Sequence, residues 1–261
     1  MLLAVDVGNT QTVIGVYDQS EFVGMWRVAT NRTDTADELR ARLLLLLEAA
    51  GLSLADVSTA SLASVVPQLT ESWRKAICDG AGVETIVCTA ESAGPLFKRA
   101  YANPQEIGAD RIADAVAAAA LYGTPVVVID FGTATNIEVL DKDGFFIGGI
   151  IAPGVQTSAQ ALFSRASRLA TIDLVAPEMP IGVDTETAIQ SGIVLGEADR
   201  VDGLVRRVFA QIGYEATVVA TGGLASLVAE HSSVIRHVNP RLTIEGLRLL
   251  AEVSRPMELE H

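Results

Sequence analysis

Cationic side chains are scarce in this chain. Its 19 Lys and Arg stand against 32 Asp and Glu, for a formal net charge of -13 and a pI near 4.6. Affinity for a nucleic-acid backbone rests on clustered Lys and Arg, so no nucleic-acid partner is expected. Small anions are not excluded, because they need only a few local donors and a divalent ion. Cysteine is nearly absent: Cys78 and Cys88 lack metal-ligand spacing and have no further cysteine with which to build a disulfide framework. A reduced, cytoplasmic setting is the expectation. Long apolar runs are missing as well. Leu43 to Leu47 is too short to cross a bilayer and is flanked by charges, so no membrane span is expected. Asp6 interrupts the apolar start with no basic segment before it, which argues against a signal peptide. Aromatics make up 5%, yet 49% of the 261 residues are hydrophobic, enough for a substantial core in one large domain or two ordinary ones. The end, Leu259-Glu260-His261, reads as the remnant of an expression tag, and 256–261 is set aside as a tail.

What is present is a repeated corner. Leu2 to Val5 run into Asp6-Val7-Gly8-Asn9-Thr10, and Val126 to Ile129 run into Asp130-Phe131-Gly132-Thr133-Ala134-Thr135. In each, an apolar β-branched run stops at an aspartate, a glycine follows two residues later, and a hydroxyl or amide side chain precedes the next strand. Glycine lets the backbone turn sharply and present N–H groups to an anion. An aspartate at the strand end can hold a cation or a metal-bound water beside that anion. One Asp-x-Gly alone also marks an ordinary hairpin turn. Two copies with flanking strands and a following Thr point to an ATP-handling cleft between two similar domains.

The rest of the chain is consistent with a duplication. Strands are expected at 2–6, 11–17 and 22–29, then a helix opened by the capping box Thr35-Ala36-Asp37-Glu38 and ending near Gly51. A strand at 58–65, a helix from Pro67 to about 79 and a strand at 84–88 complete the first half. The order β-β-β-α-β-α-β is not that of a doubly wound dinucleotide fold. An Ala-rich helix at 110–122 lies between the halves. Strands at 126–130, 134–140 and 145–151 then form a second meander, followed by helices at 155–170 and 185–212. A strand at 216–220 ends in Thr221-Gly222-Gly223, and a strand at 235–238 leads through Pro240 into a closing helix. The boundary is placed near residue 118, giving domains over 1–118 and 119–255. Thr221-Gly222-Gly223 is either a tight turn with a helix packed behind it or bare backbone that lets an adenosine approach. His231 and His237 lack a partner at ligand spacing and read as surface or packing residues. Arg165 and Arg168 read as a solvated or interface helix face, and Trp26 and Trp73 as core.

The corners and the Thr-Gly-Gly turn resemble segments of the acetate and sugar kinase/Hsp70/actin superfamily. Five motifs in order narrow the resemblance: Asp6-Val7-Gly8-Asn9-Thr10, Ala63-Ser64-Val65-Val66-Pro67, Gly108-Ala109-Asp110-Arg111, Asp130-Phe131-Gly132-Thr133-Ala134 and Gly148-Gly149-Ile150-Ile151-Ala152-Pro153-Gly154. Together, from Leu2 to about Leu250, they resemble the type III pantothenate kinases. That resemblance implies an α/β fold of two tandem ribonuclease H-like (actin-like ATPase) domains, each a mixed five-stranded sheet with helices on both faces. It implies ATP-dependent phosphorylation of pantothenate to 4'-phosphopantothenate, the first step of coenzyme A synthesis, in a homodimer with the substrate pocket near the subunit interface. Asp6, Val7, Gly8, Asn9, Thr10, Gln11, Thr12 and Val13 match the first phosphate-binding segment, and Thr133 matches a residue near the ATP phosphates. Gly108, Ala109, Asp110 and Arg111 match the substrate loop, with Asp110 as catalytic base. Asp130 matches the site of a monovalent cation, potassium or ammonium. Tyr101 and Thr185 match substrate contacts; many family members carry Asn where this chain has Asp184.

The residue chemistry accommodates that activity. Phosphoryl transfer asks mostly for positioning and charge neutralisation. Gly8 and Gly132 can offer backbone N–H donors, Thr10 and Thr133 hydroxyls, and Asp6 a carboxylate for Mg²⁺, directly or through water. Neither corner carries a lysine of the P-loop kind. Asp110 reads as the base or as an N-cap paired with Arg111, and Arg111 either grips the pantothenate carboxylate or neutralises Asp110. A non-catalytic regulatory relative with the same fold is the alternative. A sugar or acetate kinase fits the corners but not Gly108-Ala109-Asp110-Arg111.

Overall fold

A computed structural model describes residues 1–101, 103–165 and 172–253. Arg168 and the tail lie outside them. Two compact units emerge: Met1–Ala117 with the C-terminal helix from Leu242, and Ala118–Arg241.

In the first unit, β1 (Leu2–Val7), β2 (Gln11–Asp18) and β3 (Glu21–Ala29) form an antiparallel meander. Helix α1 (Ala36–Ala49) opens on the expected capping box: the Thr35 hydroxyl accepts from the Glu38 N–H at 3.3 Å, and the Glu38 carboxylate accepts from the Thr35 N–H at 2.8 Å. Next come β4 (Thr59–Ser64), α2 (Pro67–Ala81), β5 (Thr85–Val87), the short β6 (Lys98–Arg99) and α3 (Ala109–Tyr122). The sheet order is β3-β2-β1-β4-β5, with β4 parallel to both β1 and β5. Alternation along β1 sends Leu3, Val5 and Val7 to one face, where they pack with Leu39, Leu43 and Leu47 of α1 and Leu69 and Trp73 of α2. Trp26 is only partly buried against this core.

The second unit contains β7 (Val126–Phe131), β8 (Ala134–Leu140), β9 (Phe145–Pro153), α4 (Val155–Arg165), α5 (Thr185–Gln190), α6 (Gly196–Ile212), β10 (Thr217–Thr221), α7 (Ala225–Ala229) and β11 (His237–Val238). Its strands run β9-β8-β7-β10-β11, the first unit's order over again, with β10 parallel to β7. The alternate residues Val127, Ile129 and Phe131 pack with Ala198, Val201 and Val205 of α6.

Three expectations differ from what is seen. The helix expected over 185–212 is interrupted: Ser191–Leu195 forms a π-helical turn between α5 and α6. The strand expected at 235–238 is only His237–Val238. The closing helix, α8 (Leu242–Val253), groups with the first unit rather than with a domain running to 255. Gly15 explains why, since a Cβ there would lie 2.3 Å from Cγ2 of Ile244. Gly15 faces away from the α1/α2 layer, so α8 covers the sheet's second face.

Candidate active site

The first corner is a tight loop between β1 and β2. Val7 and Thr12 are its last paired residues, and the Gly8 N–H donates to the Gln11 carbonyl at 3.0 Å. A Cβ on Gly8 would sit 2.8 Å from that oxygen, so only glycine closes the loop without displacement. Asn9 and Thr10 form the exposed tip, while Thr12 is buried with its hydroxyl 2.9 Å from that of Thr30.

Asp6 stands at the carboxyl end of β1 beside Ala63 of the parallel β4, in the motif Ala63-Ser64-Val65-Val66-Pro67. The Gly108–Arg111 segment arrives at the same sheet edge: a Cβ on Gly108 would lie 3.5 Å from Cγ1 of Val65 and 2.5 Å from Oδ1 of Asp110. Asp110 is in the first turn of α3 rather than at its N-cap, and its Oδ1 accepts from the Arg111 N–H at 2.8 Å. Burial pushes its pKa up, against the pull of that N–H and of the Arg111 guanidinium. Cys88 gathers the cluster. Its thiol donates to the Ala109 carbonyl at 3.3 Å, and burial, with Asp6, Asp110 and Asp114 nearby, pushes its pKa up to about 12. Asp6 and Asp110 are therefore within electrostatic reach of one buried thiol. Tyr101 is exposed between β6 and the turn at Pro104–Glu106.

The second corner is one residue shorter. Phe131 pairs with Thr135, and the Gly132 N–H donates to the Ala134 carbonyl at 3.0 Å. Thr133 is at the exposed tip, and its carbonyl accepts from the Gly154 N–H at 3.1 Å and the Thr157 hydroxyl at 2.6 Å. Asp130 lies beside Thr221 of β10. A Cβ on Gly222 would be 2.5 Å from Oδ1 of Asp130 and 2.6 Å from the Phe131 carbonyl oxygen. The Thr-Gly-Gly turn thus makes room for the Asp130 carboxylate, with Gly222 at a φ of +94°.

Thr185 occupies a separate place in this unit, at the start of α5. Asp184 caps that helix: its Oδ1 accepts from the Thr187 N–H at 2.8 Å, and that bond holds its pKa down. An acceptor is all the cap requires, and the aspartate supplies it. Beside it opens a cavity of about 760 Å³ lined by Leu162, Val183, Asp184, Thr185 and Ile193 among others.

The family model of type III pantothenate kinases matches residues 2–207. The chain belongs to this family. A type III pantothenate kinase of Desulfosudis oleivorans is 45% identical over 255 residues, covering 96% of this chain and 98% of that protein. One from Acidiphilium cryptum is 42% identical over 266 residues, covering 100% of both. Among solved structures, the activator of 2-hydroxyisocaproyl-CoA dehydratase from Clostridium difficile, with bound ADPNP, superposes with a TM-score of 0.56 at 14% identity, over 97% of this chain and 93% of that one. Component A of the Acidaminococcus fermentans (R)-2-hydroxyglutaryl-CoA dehydratase gives 0.56 at 18% identity, over 96% and 95%. These likenesses concern the fold alone.

Two buried carboxylates of this pantothenate kinase family member were not singled out from sequence. Glu197 accepts from the Thr135 hydroxyl at 2.7 Å and pairs with Arg200, which donates to the Pro153 carbonyl at 2.8 Å. The pair ties the start of β8, just after the Gly132–Thr133 corner, and the end of β9 to α6. Asp114 accepts from the Thr243 hydroxyl at 2.7 Å, joining α3 to α8. The available signal was a carboxylate falling on an apolar helix stripe: Glu197 shares one with Val194, Ala198, Val201 and Val205.

Proposed function

We infer that this chain transfers the γ-phosphoryl group of ATP to the primary hydroxyl of pantothenate. Family membership gives the reaction, and the observation that carries the residue assignment is the meeting of Asp6 and Gly108–Arg111 at one sheet edge around Cys88. Asp110 accepts the proton as the hydroxyl oxygen bonds to phosphorus and the bond to ADP breaks. Its raised pKa suits a base acting late in a loose transition state. Backbone N–H groups and hydroxyls of Asp6–Val13, with Thr133, take the phosphates. Arg111 restrains Asp110, and it has the fork geometry for the pantothenate carboxylate. Tyr101 and Thr185 complete the substrate contacts.

Oxygen donors at both strand ends fit hard cations. Asp6 would hold Mg²⁺, directly or through water. Asp130 and the Phe131 carbonyl border a space that a Cβ at 222 would fill, and Asp130 would hold potassium or ammonium there. Such ions supply charge neutralisation where the corners have no lysine. We propose a cytoplasmic homodimer in which the exposed Met179, Ile181 and Val183, at 69%, 82% and 92% accessibility, are buried by the second subunit. Light scattering at 27.5 kDa would overturn that assembly.

The test is incubation of the protein with ATP, Mg²⁺, K⁺ and pantothenate, with phosphopantothenate as the product sought. No turnover with potassium or ammonium present favours the non-catalytic relative. Replacing potassium by sodium is expected to abolish most of the activity. Equal rates in the two salts would remove the cation role from Asp130.

A further inference from the structure

The first corner is short of cationic partners for a triphosphate: Asp6–Val13 contains no Lys or Arg. A guanidinium reaches the first corner from elsewhere in the chain. Arg32, in the segment joining β3 to α1, donates from Nη2 to Oδ1 of Asn9 at 3.0 Å, at the tip of the corner. We propose that Arg32 is a further phosphate-binding residue of the kinase, engaging the terminal phosphates of ATP from the Asn9 side. This rests on the kinase reading above and deepens it.

Its position is fixed by the loop that carries it. The Thr30 N–H donates to the Thr10 carbonyl at 2.9 Å, and the Thr30 and Thr12 hydroxyls are 2.9 Å apart, so the segment runs along the corner. Beyond Arg32 the chain closes on itself. The Asn31 side chain accepts from the Thr33 N–H at 3.3 Å and donates to Asp34 at 3.0 Å. Asp34 is buried and held by Arg42 of α1 at 2.8 Å. Arg42 is thus directed inward to a carboxylate, while Arg32 is exposed at the corner's tip with an amide oxygen as partner. An amide does not neutralise a guanidinium, and the contact uses one of its five N–H donors. A planar fork suits phosphate oxygens, and in phosphoryl transfer a positive charge there opposes the negative charge of the transferring group.

The competing role for Arg32 is loop closure through Asn9 alone. The variants Arg32→Gln and Arg32→Lys separate the two, because Gln keeps a donor for Asn9 without charge and Lys keeps charge without the fork. Calorimetric titration with MgATP, and with adenosine as control, reads binding without requiring turnover. Arg32→Gln is expected to weaken MgATP by about 10- to 100-fold and leave adenosine unchanged, with Arg32→Lys recovering part of the loss. Unchanged MgATP affinity, or parallel loss of ATP and adenosine, would overturn the proposal. Wild-type protein that binds MgATP but leaves pantothenate unphosphorylated would instead sink the acceptor assignment, and the Arg32 comparison would still read. Wild-type protein that binds no MgATP would remove both.

Discussion

Asp110→Asn is expected to lower kcat by about 10²–10⁴ while leaving MgATP binding in place, and to make the protein more stable where the aspartate is ionised. The two effects share a cause. Burial disfavours the ionised carboxylate and raises the pKa of Asp110, although the Arg111 N–H and guanidinium oppose it. A group whose pKa is higher in the folded state stabilises the fold below its unfolded pKa, and that contribution is lost as pH rises through the folded value. Once ionised, Asp110 is therefore a charge held at a cost, and asparagine removes that cost. The melting temperature of the variant should gain on that of wild type as pH rises above the ordinary aspartate range, with the gap closing as the pH is lowered. Activity runs the other way. A base works only when ionised, so kcat/KM of wild type should rise through a limb above the ordinary aspartate range, and Asp110→Asn should lack it. A variant with wild-type kcat, or one that loses activity only by losing ATP affinity, would show that Asp110 does not accept the proton.

The parts of the fold that were legible are those whose chemistry is local. A β-branched run ending in Asp-x-Gly needs no partner elsewhere in the chain to announce a corner, and Thr35 with Glu38 announces a helix start within four residues. Gly8 and Gly132 close their loops as that pattern requires. What escaped depends on distant packing. Side-chain periodicity over 185–212 passes smoothly through the π-helical turn at Ser191–Leu195, because one wider turn shifts the stripe without breaking it. Glu197 and Asp114 read as ordinary helix carboxylates until Thr135, Arg200 and Thr243 are brought to them by contacts far apart in sequence. The Thr-Gly-Gly pattern advertises bare backbone, yet its immediate reason is the Asp130 carboxylate lying where a side chain at 222 would be. Chain order put the last helix in the second domain, whereas its apolar face packs on the first sheet.

That last helix carries the second large expectation: Gly246→Ala should cost about 2–4 kcal/mol of stability, far more than an alanine usually does in a helix. Inside α8 a glycine is ordinarily the weaker choice by roughly 1 kcal/mol, so propensity alone predicts a gain. Packing reverses the sign. A Cβ at 246 would lie 1.9 Å from the carbonyl oxygen of Ala113 and 2.5 Å from its carbonyl carbon. Both are backbone atoms of α3, so no rotamer can yield, and the helices must move apart. Separation loosens the burial of Leu242, Ile244, Leu247 and Leu250, and it stretches the Thr243–Asp114 hydrogen bond one turn beyond Asp110. The loss should therefore reach catalysis as well as the melting curve, since α3 begins at the Gly108–Arg111 segment proposed to meet the substrate. Gly203→Ala in α6 is the matched control: nothing lies within 4 Å of its added Cβ, and it should be neutral or stabilising. Thermal or urea unfolding of the two variants beside wild type decides the matter. If Gly246→Ala proves as stable as Gly203→Ala, α8 does not approach α3 at backbone contact, and the support it lends to Asp110 goes with it.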